Sequence, residues 1–521
     1  MRRVLLFLLG AVIAAPFALA RERSEQSEHR EHRQSQEENA GAATVMEQVS
    51  VPLLGKVTVY HPRSLERARG VVLFVSGDGG WKLGVLGMAK RIASEALVVG
   101  ISMPAWQKEA EKRTDSCWYP AGELEAVAQA VQKIYKFPRY LRPVLVGYSS
   151  GATVVYGALA QSPPGSFVGA VSLGFCPDLE VRRPFCGQGT WKPSHDLKKH
   201  VTLLPVRPDL PALPDGSPSW IALQGQVDQV CNAKEVDRFV EKIPAGKVVP
   251  LPKVGHGFGV TRNWGDDFDA AVGSLLDPRG AWEPWHGSDP SKAPNLAPQE
   301  INRRLEALDL PLVVTWPGSA SDALIFVSGD GGWMELDQEV ASKLHDAGVA
   351  VIGWSTLRYF WQARTPEGFR GDLARVIEAL PAQMRIFAGG YSFGAEVVPV
   401  TVASAPSGDP ALSRIRGLVL VGPGRYATFE VSPLDWIFRS STPTAHSVRT
   451  ALQKESRLPV ICLESGGGAE SGCPQDARPG LVRVRLPGSH HFGGDYATLA
   501  EKITDFTRSV ERDTSGKTES P

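Results

Sequence analysis

Two serines sit in the pattern Gly-x-Ser-x-Gly: Ser149 within Gly147-Tyr-Ser-Ser-Gly151 and Ser392 within Gly390-Tyr-Ser-Phe-Gly394. Each follows a short apolar run, Pro143–Val146 or Arg385–Ala388, and precedes a helix-like segment. The flanking glycines permit a tight turn that lifts the hydroxyl above the end of a buried strand, and the helix N-terminus behind it favours developing negative charge. This points to nucleophilic attack on a carbonyl, which needs a histidine base and an orienting carboxylate, in chain order Ser, Asp or Glu, His. The late histidines are His256, in Leu251-Pro-Lys-Val-Gly-His-Gly-Phe258, and the pair His490-His491, in Leu486-Pro-Gly-Ser-His-His-Phe492. Aligning the two segments sets His256 against His490, so His490 is the expected base and His491 a neighbour that packs or touches substrate. The acid should follow the strand between nucleophile and base. Asp228 does so after Trp220–Gly225, while Glu464 and Glu470 compete after Leu458–Leu463. Asp228-x-x-Cys231 and Glu470-x-x-Cys473 share an offset, and these acids lie 79 and 78 residues beyond their serines, which favours Glu470.

An oxyanion forming at either serine needs two backbone N–H donors. The residues after the nucleophiles, Ser150 and Phe393, supply one each. The turns Asp78-Gly79 and Asp330-Gly331 are expected to supply the other, because glycine lets the backbone approach the reacting carbonyl. Both turns belong to the words Ser76-Gly-Asp-Gly-Gly-Trp81 and Ser328-Gly-Asp-Gly-Gly-Trp333, identical and 252 residues apart. Trp81 and Trp333 are expected to pack beneath the turn rather than stack on substrate.

Three recurring words in one order make this a duplication of a whole domain. Within each copy, Val71–Val75 and Ala323–Val327, Leu97–Ile101 and Val349–Gly353, and the runs into the Gly-Tyr-Ser turns read as buried strands alternating with amphipathic segments. That is the pattern of an α/β domain with a mostly parallel sheet and helices on both faces. The expected organisation is a signal peptide (1–20), a polar lead-in (21–48), an N-terminal copy (49–276), a Pro- and Gly-rich linker (277–297), a C-terminal copy (298–512) and a tail (513–521). His29 and His32 belong to the solvated lead-in.

The chain has 521 residues, 43% of them hydrophobic, and 56 basic against 56 acidic side chains. Two packed domains are affordable at that length, and the zero net charge excludes general nucleic-acid binding. Arg2 and Arg3, the apolar run Val4–Ala15 and Ala18-Leu-Ala20 read as an export signal, which implies an oxidising compartment. The six cysteines divide as Cys117, Cys176, Cys186 and Cys231 in one copy and Cys462 and Cys473 in the other. The expected bridges are Cys462–Cys473, Cys176–Cys186 because that pair is close in sequence, and Cys117–Cys231. Neither C-x-x-C nor H-E-x-x-H occurs, so no metal is expected.

Taken together the words resemble the VirJ/AcvB family of bacterial periplasmic, virulence-associated proteins. Its marks SGDGGW, LRYFW-x-x-R-T-P-E, GYSFGA and HHF-x-GDY fall here at Ser328–Trp333, Leu357–Trp361 with Arg364–Glu367, Gly390–Ala395 and His490–Tyr496. The second copy resembles the shorter VirJ form, and both copies together the two-domain AcvB form. The resemblance implies tandem α/β-hydrolase domains acting in the periplasm, with no cofactor. It further implies hydrolysis of the aminoacyl ester of aminoacyl-phosphatidylglycerol, lysyl or alanyl, with Ser392 as nucleophile and His490 as base. Glu470 stands where the family usually has Asp. The substrate would be a membrane phospholipid met by transient contact with the outer leaflet of the inner membrane. Its ammonium is assigned to Asp330 and Asp495 and its phosphate to Arg358 and Arg364, each arginine having a structural ion-pair role as the equal alternative. Tyr359-Phe360-Trp361 is expected to pack in the core rather than dip into lipid. The competing readings are a serine hydrolase for another ester, and a non-catalytic binding or assembly factor linked to secretion or virulence.

Overall fold

The computed structural model describes residues 44–515 apart from 113–116, 164, 188–190, 214, 277–297, 407, 432–445, 456, 467–470, 476–478 and 489. The expected signal peptide, the linker and Glu470 therefore lie outside the described residues.

The N-terminal copy builds one sheet from β1 (Thr44–Val51), β2 (Gly55–Pro62), β3 (Val71–Val75), β4 (Leu97–Ile101), β5 (Val144–Tyr148) and β6 (Gly169–Leu173). A small sheet of β7 (Asp178–Glu180), β8 (Ser194–Asp196) and β9 (Val201–Leu203) intervenes before β10 (Trp220–Gly225) and β11 (Gly246–Leu251) complete the main one. The order is β1-β2-β4-β3-β5-β6-β10-β11. The β1–β2 and β2–β4 pairs are antiparallel and the others parallel. Among the described residues, the main sheet of the C-terminal copy has no counterpart of β1. It uses β12 (Leu312–Thr315), β13 (Asp322–Val327), β14 (Val349–Trp354), β15 (Arg385–Tyr391) and β16 (Ile415–Val421), then a short pair, β17 (Tyr426–Ala427) and β18 (His446–Ser447). With β19 (Val460–Ser465) and β20 (Leu481–Leu486) the order is β12-β14-β13-β15-β16-β19-β20, antiparallel only at β12. Both are α/β-hydrolase sheets. β1 starts at Thr44, inside the stretch read as polar lead-in, because its pairing with β2 holds it. The last helix likewise runs to Ser515, three residues past the expected boundary.

Parallel strands covered on both faces are apolar throughout. Along β3, Val71, Leu73 and Val75 face helices Pro120–Ile134 and Ser150–Gln161, while Val72 and Phe74 face Leu83–Ile92 and Gly265–Gly273. The order reverses beside β3 and β13, and ligands of open parallel sheets bind at the strand C-termini at such a switch point. Ser149 and Ser392 follow the strands next to it. The two copies touch along the C-terminal end of helix Pro120–Ile134. Trp361 Nε1 donates to the Phe137 carbonyl at 2.8 Å, the Trp361 ring lies 5.4 Å from that of Tyr140, and Lys133 pairs with Glu430 at 2.8 Å. Tyr359, Phe360 and Trp361 are all buried, so this aromatic run packs in the core and at the junction.

The disulfides correct one expectation. The bridges are Cys117–Cys186, Cys176–Cys231 and Cys462–Cys473. Closeness in sequence misled the choice in the first copy. β6 and β10 are adjacent and parallel, so the segments leaving their C-termini, which carry Cys176 and Cys231, run side by side. Cys117 meets Cys186 because Trp118 N–H donates to the Pro184 carbonyl and Cys186 N–H to the Trp118 carbonyl, at 2.7 and 2.8 Å.

Trp333 lies over the sheet in edge contact with Phe326 and fills the space where Gly353 lacks a side chain. Trp81 does the same at Gly100 and donates to the Tyr60 hydroxyl at 3.3 Å. Gly353→Val would drive methyl groups into the Trp333 ring, and overpacking of this kind costs about 1–3 kcal/mol. A lowered urea midpoint with an unchanged slope is the expected result.

Candidate active site

Each candidate nucleophile sits on a strained turn. Ser149 has φ 56° and ψ −125°, and Ser392 has φ 49° and ψ −111°. Such angles cost an L-residue about 1–3 kcal/mol and persist only where the surroundings impose them. What imposes them is backbone crowding: a side chain at Gly151 or Gly394 would strike the carbonyl of Val75 or Val327, the last residue of the neighbouring strand. The strand, the strained serine and the helix that begins one residue later are thus locked together.

In the N-terminal copy the constellation is complete. Ser149 Oγ lies 2.9 Å from His256 Nε2, and His256 Nδ1 lies 2.9 Å from Asp228 Oδ2. The Asp228 side chain is wholly buried, and its other oxygen accepts the N–H groups of Val230 and Cys231 at 2.8 and 2.9 Å. The Cys176–Cys231 bridge anchors that turn. In the C-terminal copy His490 Nε2 lies 2.8 Å from Ser392 Oγ. Glu464, the competing acid, lies within β19 rather than after it. Its carboxylate bonds Arg483 on β20 at 2.8 Å, so it is committed to the sheet edge. Asp228, Cys231 and His256 also bring ligand atoms within 4.8 Å of one another, but the sulfur is spent in the disulfide and the other two bond each other.

Two further devices position the base, and both copies share them. The tyrosine before the nucleophile donates its hydroxyl to the histidine's own carbonyl: Tyr148 to His256 at 3.0 Å and Tyr391 to His490 at 3.3 Å. The glycine after β6 or β16, Gly174 (φ 64°) or Gly422 (φ 60°), leaves room for the imidazole, whose Cε1 would lie 3.3 or 3.1 Å from an added Cβ. The sequence reading missed these residues. Their recurrence at matching positions was the available signal.

The glycine brought against the nucleophile is Gly77, whose added Cβ would sit 2.8 Å from that of Ser149; Gly79 has no neighbour within 4 Å. Gly329 is the counterpart, and Gly331 N–H is taken by the Asp330 carboxylate at 3.0 Å. The close backbone approach expected of Gly79 and Gly331 is thus made two residues upstream, by Gly77 and Gly329. Ser76 and Ser328 are buried and hold the turns by accepting Met103 and Thr356 N–H, each at 3.0 Å.

Both serine–histidine pairs open into one cavity of about 2280 Å³ between the copies. Asp330 lines it. Asp495 does not: it caps the last helix through Thr498. Arg358 and Arg364 are absent from its lining, and Arg364 stacks over the Tyr359 ring at 4.6 Å, a structural role.

Residues 322–511 match the model of the family described as bacterial virulence protein (VirJ). That segment lies within the C-terminal copy, called the VirJ domain below. No curated protein sequence matches the chain. Among solved structures, an α/β serine hydrolase without a lid from Xanthomonas campestris is 17% identical, covering 45% of this chain and 95% of its own, with TM-score 0.28. The esterase domain of a Rhodothermus marinus protein is 12% identical over 44% and 97%, with TM-score 0.30. A membrane phospholipase A, titled a novel bacterial virulence factor, is 15% identical over 52% and 98%, with TM-score 0.29.

In the VirJ domain, His490 has one edge open to the cavity, yet the protein around it lowers its pKa below the ordinary 6.5, first by desolvation and then through His491, against a smaller upward pull from Asp330. A lowered pKa keeps the neutral, base-competent imidazole at more acid pH. With Ser149→Ala in place, the acid limb of kcat/KM should therefore lie below 6.5, and adding His491→Gln should move it upward. Asp228→Asn, tested with Ser392→Ala in place, should lower ester turnover by the N-terminal copy about 1,000- to 10,000-fold while leaving the fold intact by circular dichroism.

Proposed function

We propose that this protein is an exported serine esterase that removes the aminoacyl group, lysyl or alanyl, from aminoacyl-phosphatidylglycerol. The observation that carries the reading is the Ser392–His490 hydrogen bond, 2.8 Å, on a strained strand–helix turn inside a VirJ-family domain. Three disulfides fit folding in an oxidising compartment, and the export signal read in the sequence assigns it to the periplasm.

In the reaction, His490 Nε2 takes the Ser392 proton as Oγ adds to the ester carbonyl. The N–H of Phe393 and the turn at Gly329 receive the oxyanion. Collapse breaks the acyl–oxygen bond, and His490 returns its proton to the departing glycerol oxygen of phosphatidylglycerol. Water, deprotonated by His490, then releases the free amino acid and restores Ser392. Asp330, on the cavity wall, faces the ammonium of the acyl group. The Ser149–His256–Asp228 triad opens into the same cavity and is a second centre for the same chemistry.

The test is amino-acid release from lysyl- and alanyl-phosphatidylglycerol by the oxidised mature protein. With Ser149→Ala in place, Ser392→Ala should reduce release at least about 1,000-fold. Release that survives either single serine change and stops only with Ser149→Ala added assigns the reaction to both copies. No release from the unmodified protein on either lipid would sink the lipid reading in favour of a binding or assembly role.

A further inference from the structure

Helix Pro120–Ile134 of the N-terminal copy presents Gly122, Glu125, Ala126 and Gln129 to the cavity, a spacing that puts them on one helix face. The VirJ domain presents the turn Gly329–Gly332 and Asp337 beside Ser392 and His490. Among the described residues the Glu125 carboxyl has no hydrogen-bond or ion-pair partner. Burial, and then the Asp330 carboxylate from the other copy, push its pKa up to about 8. Asp337 is 1% exposed; one oxygen accepts Met334 N–H at 3.0 Å while Oδ1 is buried with no partner, and burial raises this group to about 8 as well. The arginines on the cavity lining, Arg182 and Arg183, are held by Glu111 through its carboxylate and its carbonyl. Desolvated carboxylates of like charge disfavour one another's ionised forms, and a bound cation relieves this.

We propose that the N-terminal copy completes the substrate site of the VirJ domain, with Glu125 and Asp330 together taking an ammonium group on the acyl chain removed at Ser392. The inference rests on the esterase reading for its substrate, but it assigns a residue and a role outside the matched family segment. It gives the junction a function: for the reaction at Ser392 one copy supplies the nucleophile and the other a specificity carboxylate. Glu125 acts on binding and not on the reacting atoms.

The experiment uses the full chain carrying Ser149→Ala, so that only Ser392 turns over. Lysine p-nitrophenyl ester is compared with the hexanoyl ester, which lacks ammonium groups, and binding of lysinamide is compared with that of hexanamide by calorimetry. Glu125→Gln should raise KM for the lysine ester about tenfold with kcat within about twofold, leave the hexanoyl ester unchanged, and weaken lysinamide binding about tenfold. Glu125→Asp, which keeps the charge, should recover most of the affinity, and an unchanged melting curve separates this from a folding defect. Equal effects on both esters, or none, overturn the proposal. If neither ester is hydrolysed, the esterase reading falls and lysinamide decides alone: binding weakened by Glu125→Gln sustains the ammonium site, while unchanged or absent binding ends it.

Discussion

The site depends on a serine forced into a backbone conformation that L-residues avoid. At φ 56° and 49° Ser149 and Ser392 cannot relax, because the turn that holds each is wedged between its own strand and the end of the neighbouring one. The strain fixes where Oγ points, and so dictates where a base must stand. His256 and His490 meet that demand from loops more than a hundred and nearly a hundred residues further on. Each loop is fastened back to the elbow by the tyrosine that precedes the serine. One residue triplet therefore supplies both the candidate nucleophile and the clamp on its histidine partner, and glycines beyond β6 and β16 clear the space between. A rigid constellation of this kind is what acyl transfer requires, since small displacements of the base are costly in rate.

What the amino-acid sequence disclosed follows from how local each feature is. The strand–Gly-Tyr-Ser–helix turns are encoded in a dozen contiguous residues, and the duplication shows each of them twice. The same doubling isolates His256 and His490 from the other histidines. The offset from Asp228 to Cys231 marks the acid loop, and the structure brings Asp228 to His256. Features fixed by strand adjacency were harder to read. Cys176 chooses Cys231 over nearby Cys186 because β6 lies beside β10, a fact about sheet order. Gly77, not Gly79, touches the nucleophile because the turn closes tightly at the strand end. Arg364 and Asp495 carry the right charges for a phosphate and an ammonium, yet a stacked ring and a helix cap employ them. Charge type alone does not reveal that employment.

The junction between copies was the least legible feature, because nothing in either repeat marks which face meets the other. Trp361 is read from its sequence context as a core aromatic of the VirJ domain. It is also the residue that seats the N-terminal copy, through Phe137, Tyr140 and Lys133. This docking fixes helix Pro120–Ile134 and so decides which of its side chains face the cavity. The aromatic run within the family's marks thus serves the assembly of a shared chamber as much as the packing of its own sheet.

The copies solve one further problem by different chemistry. The loop after the sixth strand must be tied both to the nucleophile's helix and to the acid loop, or the base would have no fixed floor. In the N-terminal copy Thr153, four residues after Ser149, donates to the Cys176 carbonyl at 2.7 Å, and Cys176 is bridged to Cys231 of the acid loop. At the same two positions the VirJ domain has Glu396 and Gly424. The carboxylate accepts Gly424 N–H at 3.0 Å, reversing the direction of the bond. Covalent closure is replaced there by a backbone contact: Gly472 N–H donates to the Pro423 carbonyl at 3.0 Å, and a side chain at Gly472 would strike the Gly424 carbonyl, as one at Gly424 would strike the Glu396 carboxylate. Cys473, freed from that task, reaches into β19 to Cys462. The exchange places a half-buried carboxyl, raised to about 8 mainly by desolvation, one helical turn from Ser392, where the N-terminal copy has a hydroxyl. The two elbows are alike in backbone and unlike in the group that ties the loop to the serine's helix: a hydroxyl that donates in one copy, a carboxyl that accepts in the other.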